Sequence, residues 1–162
     1  MATKFYDPKT FTARGSIGYL LKMAHQQLQD CGGAVLEPHE LSFVQWITLM
    51  KLREGAALTA SDLCREMRHD NGAFTRLLDQ LEERGFVARE RSKSDRRVVE
   101  LQLTPAGSAK LDEVVPVLVE RLNDGLGVLT KTEFNELVRL LIKLREGLEA
   151  AEVRAEAREQ SS

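Results

Sequence analysis

The segment over residues 85–105 constrains the fold of this 162-residue chain most, because it has the pattern of a short basic hairpin between two helices. Residues 84–97 include six basic side chains and two acidic ones, although the formal net charge of the whole chain is −2. Leu101 and Leu103 alternate with polar residues, which predicts a returning strand. Positive charge on one loop favours phosphate contact. The alternative is a solvated turn whose charges prevent strand pairing with other chains.

The helix that precedes the hairpin has two different faces. Asp70 and Asn71 predict its beginning, and Gly85 predicts its end. Helical spacing turns four apolar side chains toward a core: Phe74, Leu77, Leu78 and Leu81. The opposite face is small and polar at the start of the helix and acidic at its end. Its N-terminal half can therefore approach DNA closely, whereas its C-terminal half is repelled by phosphates.

A shorter helix is predicted immediately upstream, over residues 59–67. Thr59 and Asp62 have the spacing of a capping box. Residues 68–70 then form a tight connection to the next helix. Two helices joined by a short turn and followed by a basic hairpin predict a winged helix-turn-helix.

Apolar stripes predict further helices on both sides of this segment. One helix is expected to begin near residue 17 and to end at Gly32-Gly33, and another is expected over residues 42–53. Two more are predicted after the helix-start signals at Thr104-Pro105 and at residues 130–133.

The outer helices have too little neighbouring sequence to cover their stripes within one chain, which predicts pairing with a second copy. An intramolecular bundle is the alternative. The chain is therefore expected to be a single domain over residues 1–162, with a winged helix-turn-helix at 42–104 and dimerisation helices at 11–31 and 105–150.

The sequence contains none of the common catalytic or nucleotide-binding motifs. It lacks the G-x-S-x-G, P-loop, G-x-G-x-x-G and H-E-x-x-H patterns, so neither an enzyme activity nor a cofactor is expected. Cys31 and Cys64 have no C-x-x-C partner, and no metal site is expected. No apolar run approaches the ~18 residues of a membrane span, and the N-terminus has no signal-peptide core. A cytoplasmic protein is the expectation.

Five fragments follow one another along the chain at a characteristic spacing. They are Leu41-Ser42-Phe43-Val44-Gln45-Trp46-Ile47-Thr48-Leu49, Leu58-Thr59-Ala60-Ser61-Asp62-Leu63, the stretch from Thr75 to Val87, Asp95-Arg96-Arg97, and Leu103-Thr104-Pro105-Ala106-Gly107. In this order they resemble the MarR family of bacterial transcription regulators, over roughly residues 12–148. The resemblance implies a mainly α fold with a small β-hairpin wing, and a homodimer with N- and C-terminal dimerisation helices. Many members respond to small aromatic acids or to oxidants.

The helix faces and the resemblance together predict the residues that contact DNA. In the helices they are Ser61, Asn71, Gly72, Ala73, Thr75 and Arg76, and on the wing they are Arg91, Lys93, Asp95, Arg96 and Arg97. The helical residues are expected to enter the major groove. By the family pattern, Arg97 reaches the minor groove while Asp95 positions the loop, and the other basic wing residues lie near phosphates.

A ligand site is implied by the resemblance, in a cleft between the dimerising helices and the DNA-binding lobe. The candidate residues there are Arg14, Tyr19, His25, Trp46 and Met50. An aromatic carboxylate requires one cation for its charge and flat apolar walls for its ring. Arg14 or His25 could supply the cation, and Trp46 or Met50 the walls. Each of these side chains could instead have an ordinary structural role.

The sequence thus predicts a dimeric, nucleoid-associated repressor that binds double-stranded DNA at a pseudo-palindromic operator and is released by a small aromatic acid. Two alternatives remain at this point. Cys31 or Cys64 could make the protein a thiol-based redox sensor. The winged helix could also be an adaptor that binds other proteins. The basic wing favours a DNA-binding protein over the adaptor, because an adaptor does not need it. Binding to duplex DNA that falls steeply with salt would distinguish the two.

Overall fold

The computed structural model describes residues 4–55, 59–92 and 95–159. The helices in these ranges are α1 (Ile17–Leu36), α2 (Phe43–Arg53), α3 (Ala60–Glu66), α4 (Asn71–Glu83), α5 (Pro105–Leu126) and α6 (Lys131–Glu159). Two antiparallel strands, β1 (Val87–Arg91) and β2 (Val99–Leu103), form the hairpin between α4 and α5. Short 3₁₀ turns lie at Ala13–Gly15 and Glu37–His39. The expected class, a mainly α fold with one small hairpin, is confirmed.

Several helices begin at the caps that the sequence predicts. The Ser42 hydroxyl accepts a hydrogen bond from the N–H of Gln45 at 3.1 Å, and the Gln45 side chain accepts one from the N–H of Ser42 at 2.9 Å. The same reciprocal bonds join Thr59 with Asp62 at the start of α3 and Thr130 with Glu133 at the start of α6. These side chains satisfy N–H groups that have no partner within the helix.

The chain divides into two compact units, Met1–Leu122 and Asn123–Ser162. Helices α2, α3 and α4, the hairpin and the first half of α5 contribute to one core in the first unit. Its fully buried apolar side chains are Leu36, Leu49, Leu63, Phe74, Leu78, Leu81, Leu111, Val114 and Leu118. Burial of a side chain of this size contributes roughly 1.5–3 kcal/mol. This core therefore holds α4 and the base of the hairpin in a defined arrangement.

Helix α1 continues through Gly32-Gly33 to Leu36. The expectation that it ends at the two glycines was wrong. A glycine inside a helix costs about 1 kcal/mol relative to alanine. Here tertiary packing offsets that cost, because Leu36 is fully buried. A Cβ on Gly32 would lie 3.3 Å from side-chain atoms of both Phe43 and Leu118, so a small residue suits this contact.

The apolar stripe of α5 is covered within the chain over its first half, contrary to the expectation that it requires a second copy. Leu111, Val114 and Leu118 have no exposed surface, because they belong to the core of the first unit. Stripes on two other helices are exposed: Ile17, Leu20, Leu21 and Leu28 on α1, and Leu137, Val138, Leu141 and Leu148 on α6. The expectation of a partner therefore depends on α1 and α6.

Within the described ranges, no helix has the length and apolar composition that a bilayer crossing requires. The same residues contain no cluster of three or more His, Cys, Asp or Glu side chains that could bind a metal ion. Cys31 is half-buried and Cys64 is buried, and both are free thiols.

Candidate DNA-binding surface

Helix α4 presents the polar face that its periodicity predicts. Asp70 caps the helix by accepting a hydrogen bond from the N–H of Ala73 at 2.8 Å. Phe74, Leu78 and Leu81 are buried on the opposite side. The exposed residues of the first two turns are Asn71, Gly72, Thr75 and Arg76, and Ala73 is half-buried beside them. This half of α4 therefore offers a small, polar surface with one arginine.

Two of these exposed residues are also held by contacts inside the protein. The Thr75 hydroxyl donates to the Asn71 carbonyl at 2.8 Å. The Cys64 thiol lies 3.0 Å from Asn71 Oδ1 and 3.1 Å from the His69 carbonyl oxygen. These contacts restrict the two side chains, which reduces the entropy that they lose when they bind. Nothing in the residue spacing indicated the Cys64 contact, because it crosses the turn between α3 and α4.

Helix α3 exposes Ser61 beside its N-terminal cap. The Thr59 hydroxyl and N–H donate to the Asp62 carboxylate at 2.7 and 3.3 Å. These hydrogen bonds hold the pKa of Asp62 below its ordinary value, because they favour the ionised carboxylate. Since the pKa is lower in the folded state than in the unfolded state, the cap stabilises α3 above the ordinary carboxylate range. That contribution is lost as the pH falls through the lowered pKa.

The wing carries three exposed arginines. Arg91 lies at the end of β1 opposite Val99, and Arg96 and Arg97 lie in the turn before β2. Asp95 organises this turn, since its carboxylate accepts a hydrogen bond from the N–H of Arg97 at 2.9 Å and its carbonyl accepts one from Val98 at 2.9 Å. In the described part of the chain, no acidic group pairs with these three arginines. Lys93, also predicted to contact phosphates, lies outside the described residues.

Two other arginines of the basic segment are used inside the protein, which the charge count did not anticipate. Arg89 pairs with Asp79 and Glu82 of α4, at 2.6 Å each. Arg84 donates to the carbonyl oxygens of His39 and Glu40, the former at 3.2 Å. The positive charge available to DNA is therefore smaller than the sequence suggests. The acidic end of α4 beside a basic strand was the signal for the Arg89 pairs.

The residues predicted to bind a ligand lie on three elements of the first unit: the first 3₁₀ turn, α1 and α2. Arg14 is exposed in a 3₁₀ turn, and Tyr19 and His25 are exposed on α1. Trp46 and Met50 are half-buried on α2, where they pack against the core. Among the described residues, no hydrogen bond, ion pair or ring contact joins the first three to the last two. The Trp46 indole N–H is buried and has no hydrogen-bond partner within this part of the chain.

Comparison with known proteins gives consistent matches. The family model described as "MarR family" matches residues 41–99. The HTH-type transcriptional repressor MdtR of Bacillus subtilis is 28% identical over 132 residues, which cover 82% of this chain and 85% of MdtR. MdtR is a transcriptional regulator and not an enzyme, in line with the expectation from the motifs.

Solved structures give the same match. Wild-type MarR of Escherichia coli is 30% identical with a TM-score of 0.65, and the match covers 80% of this chain and 96% of MarR. A cysteine-to-serine mutant of the same MarR, in complex with operator DNA, has a TM-score of 0.70 at 29% identity, with coverage of 79% and 92%. BpsR of Bordetella bronchiseptica is 26% identical with a TM-score of 0.74, and the match covers 83% of this chain and 96% of BpsR. From its wing, its helix-turn-helix and these matches, the chain belongs to the MarR family.

Proposed function

We propose that this chain is a sequence-specific DNA-binding repressor of transcription, which works as a homodimer in the cytoplasm at the nucleoid. The observation that carries the proposal is the exposed polar half of α4 together with an ordered turn of exposed arginines on the wing. The E. coli MarR mutant that is similar to this chain was solved in complex with operator DNA. In a dimer, two such surfaces would bind the half-sites of a pseudo-palindromic operator.

The helix and the wing have different roles in this proposal. The exposed residues of α4, with Ala73 and with Ser61 of α3, face the major groove and read bases. Arg97 enters the minor groove, where the Asp95 carboxylate holds its backbone in place. Arg91, Lys93 and Arg96 contact phosphates, which adds affinity without sequence preference.

The first test is the substitution Arg97→Ala. We expect a loss of ~1–3 kcal/mol in operator affinity, because a groove contact is removed. Fluorescence anisotropy measures this on an operator selected from random duplexes by the wild-type protein. The neighbouring variant Arg96→Ala is the control, since it should weaken operator and scrambled duplexes alike and lower the salt slope by about one. An Arg97→Ala protein that is folded and binds the operator like wild type would show that the wing is assigned wrongly.

We further propose that a small aromatic carboxylate releases the repressor from DNA. BpsR, which is similar to this chain, has its DNA binding regulated by 6-hydroxynicotinic acid, an aromatic carboxylic acid. Arg14 or His25 would pair with the carboxylate, and Tyr19, Trp46 and Met50 would bury the ring. The ligand changes DNA binding only by the difference in its affinity for the two conformations of the dimer.

The second test uses 6-hydroxynicotinic acid as a probe of this class. It should weaken operator binding by the wild-type protein, and Arg14→Ala or His25→Ala should blunt that response because the carboxylate loses its cation. DNA affinity without the acid should stay within about threefold, or ~0.7 kcal/mol. Lys22→Ala removes an exposed cationic side chain of α1 that is not among the predicted ligand contacts, and it should respond like wild type. Calorimetry that gives unchanged affinity for the acid in both variants would place the site elsewhere.

A further inference from the structure

We propose that Arg89 is a positioning residue for operator recognition, which holds the wing at the distance from α4 that one operator requires. This inference rests on the proposed DNA-binding function. It concerns a residue that is turned toward the protein and is not among the predicted DNA contacts. Its ion pairs are the observation that carries it.

Arg89 joins the two elements of the DNA-binding surface through separate bonds. Its Nη2 donates to Asp79 Oδ1 and its Nη1 donates to Glu82 Oε2, each at 2.6 Å. Asp79 and Glu82 are three residues apart on α4, so they lie on one side of the helix. A planar guanidinium held by two carboxylates resists both sliding and rotation, which a single ammonium group cannot do.

The position of Arg89 in the hairpin explains why this connection matters. Val87 at the beginning of β1 is buried, whereas the strand is exposed from Arg89 to Arg91. Leu101 of β2, which lies opposite Arg89, is also in the core, so the core fixes the hairpin as far as Arg89 but not its exposed end at Arg91 and Val99. Among the residues of β1, Arg89 is the one that forms ion pairs with α4, through Asp79 and Glu82. These pairs attach the hairpin to α4 at the same position, so its direction beyond Arg89, and thus where Arg97 meets the DNA, depends on them as well as on the core.

Arg89 also has an electrostatic effect that an experiment has to separate from positioning. Asp79 and Glu82 lie on the acidic half of α4, where uncompensated charge would repel phosphates. Removal of Arg89 alone would therefore weaken binding to every duplex. Positioning has a different signature, because only operator binding requires α4 and the wing to fit their grooves at the same time.

The experiment compares operator with a scrambled duplex of the same length, over a range of salt concentrations. Arg89→Gln should lower operator affinity about tenfold more than scrambled-duplex affinity, the size of one mismatched position in a site. The double variant Glu82→Gln with Arg89→Gln has the same local net charge as wild type. It should recover affinity for the scrambled duplex, while the ratio of operator to scrambled affinity stays low.

Arg53→Gln is the matched control, because it breaks an ion pair of 3.1 Å between α2 and α5 that involves neither α4 nor β1. It should leave the affinity ratio unchanged, and melting curves should confirm that all variants are folded. Recovery of the ratio in the double variant would reduce the role of Arg89 to charge compensation and overturn the proposal. So would an unchanged ratio in Arg89→Gln. A wild-type protein that enriches no duplex sequence would overturn the proposed function itself, and this role for Arg89 with it.

Discussion

Replacing Gly107 with alanine is expected to destabilise the protein by about 3 kcal/mol, at the upper end of the usual cost of overpacking. Gly107 is buried in the first turn of α5, directly against the base of the hairpin. A Cβ there would overlap the Phe86 carbonyl oxygen and lie 2.7 Å from Leu103 Cδ1. Backbone cannot rotate away as a side chain can, so the helix and the hairpin would have to separate.

Chemical denaturation measures this change, and Gly33→Ala is its control. Gly33 lies inside α1, and nothing is within 4 Å of a Cβ built on it. Alanine should therefore stabilise that helix by roughly 0.5–1 kcal/mol. Gly107→Ala should also weaken operator binding, because the hairpin that carries the wing packs against α5 at this residue. A Gly107→Ala protein as stable as wild type would show that α5 and the hairpin do not pack this closely.

Placing two glutamates on α6, as Leu137→Glu with Leu141→Glu, is expected to dissociate the proposed dimer. The two side chains are 41% and 38% exposed in the single chain, so the substitutions should cost one isolated chain little. Two carboxylates buried without partners would disrupt an apolar interface. Operator affinity should then fall by about 10²-fold or more, since each half-site would be bound separately.

Sedimentation and DNA titration test this expectation against Lys143→Glu. That variant makes the same total change in charge, but at 3.6 residues per turn it lies about 160° around α6 from Leu141 and about 120° from Leu137. It should remain dimeric. A wild-type chain that sediments as a monomer would refute the dimer, and an unaffected double variant would show that α6 does not form its interface.

Local patterns identified the elements around the site because they depend on residues close together in sequence. The reciprocal caps at Ser42, Thr59 and Thr130 form within four residues, so their spacing is sufficient to predict them. The same holds for the end of α4, where Gly85 adopts a left-handed conformation with a φ of 71°. The buried face of α4 follows from periodicity alone.

Contacts between distant residues caused the errors. Gly32-Gly33 is a helix-stop signal in isolation, but α1 continues past it to Leu36, which is buried in the core. The first half of the α5 stripe looks unpartnered until the fold places it in one core with residues of α2, α4 and the hairpin. The spacing of apolar residues along the chain does not show the burial of the end of α1 or the packing of α5, because both depend on residues far apart in sequence.

By itself, the sequence determined the order of the helices and the hairpin and the faces of α4, because short-range periodicity, caps and charge carry that information. The family came from the resemblance of five ordered fragments. Only the tertiary structure decided which arginines of the basic segment are exposed and can contact DNA. It turned Arg84 and Arg89 to partners inside the protein and left Arg91, Arg96 and Arg97 exposed. A count of charges over residues 84–97 does not distinguish these five arginines. They differ because an ion pair or a hydrogen bond requires two groups at about 3 Å, and folding sets that distance.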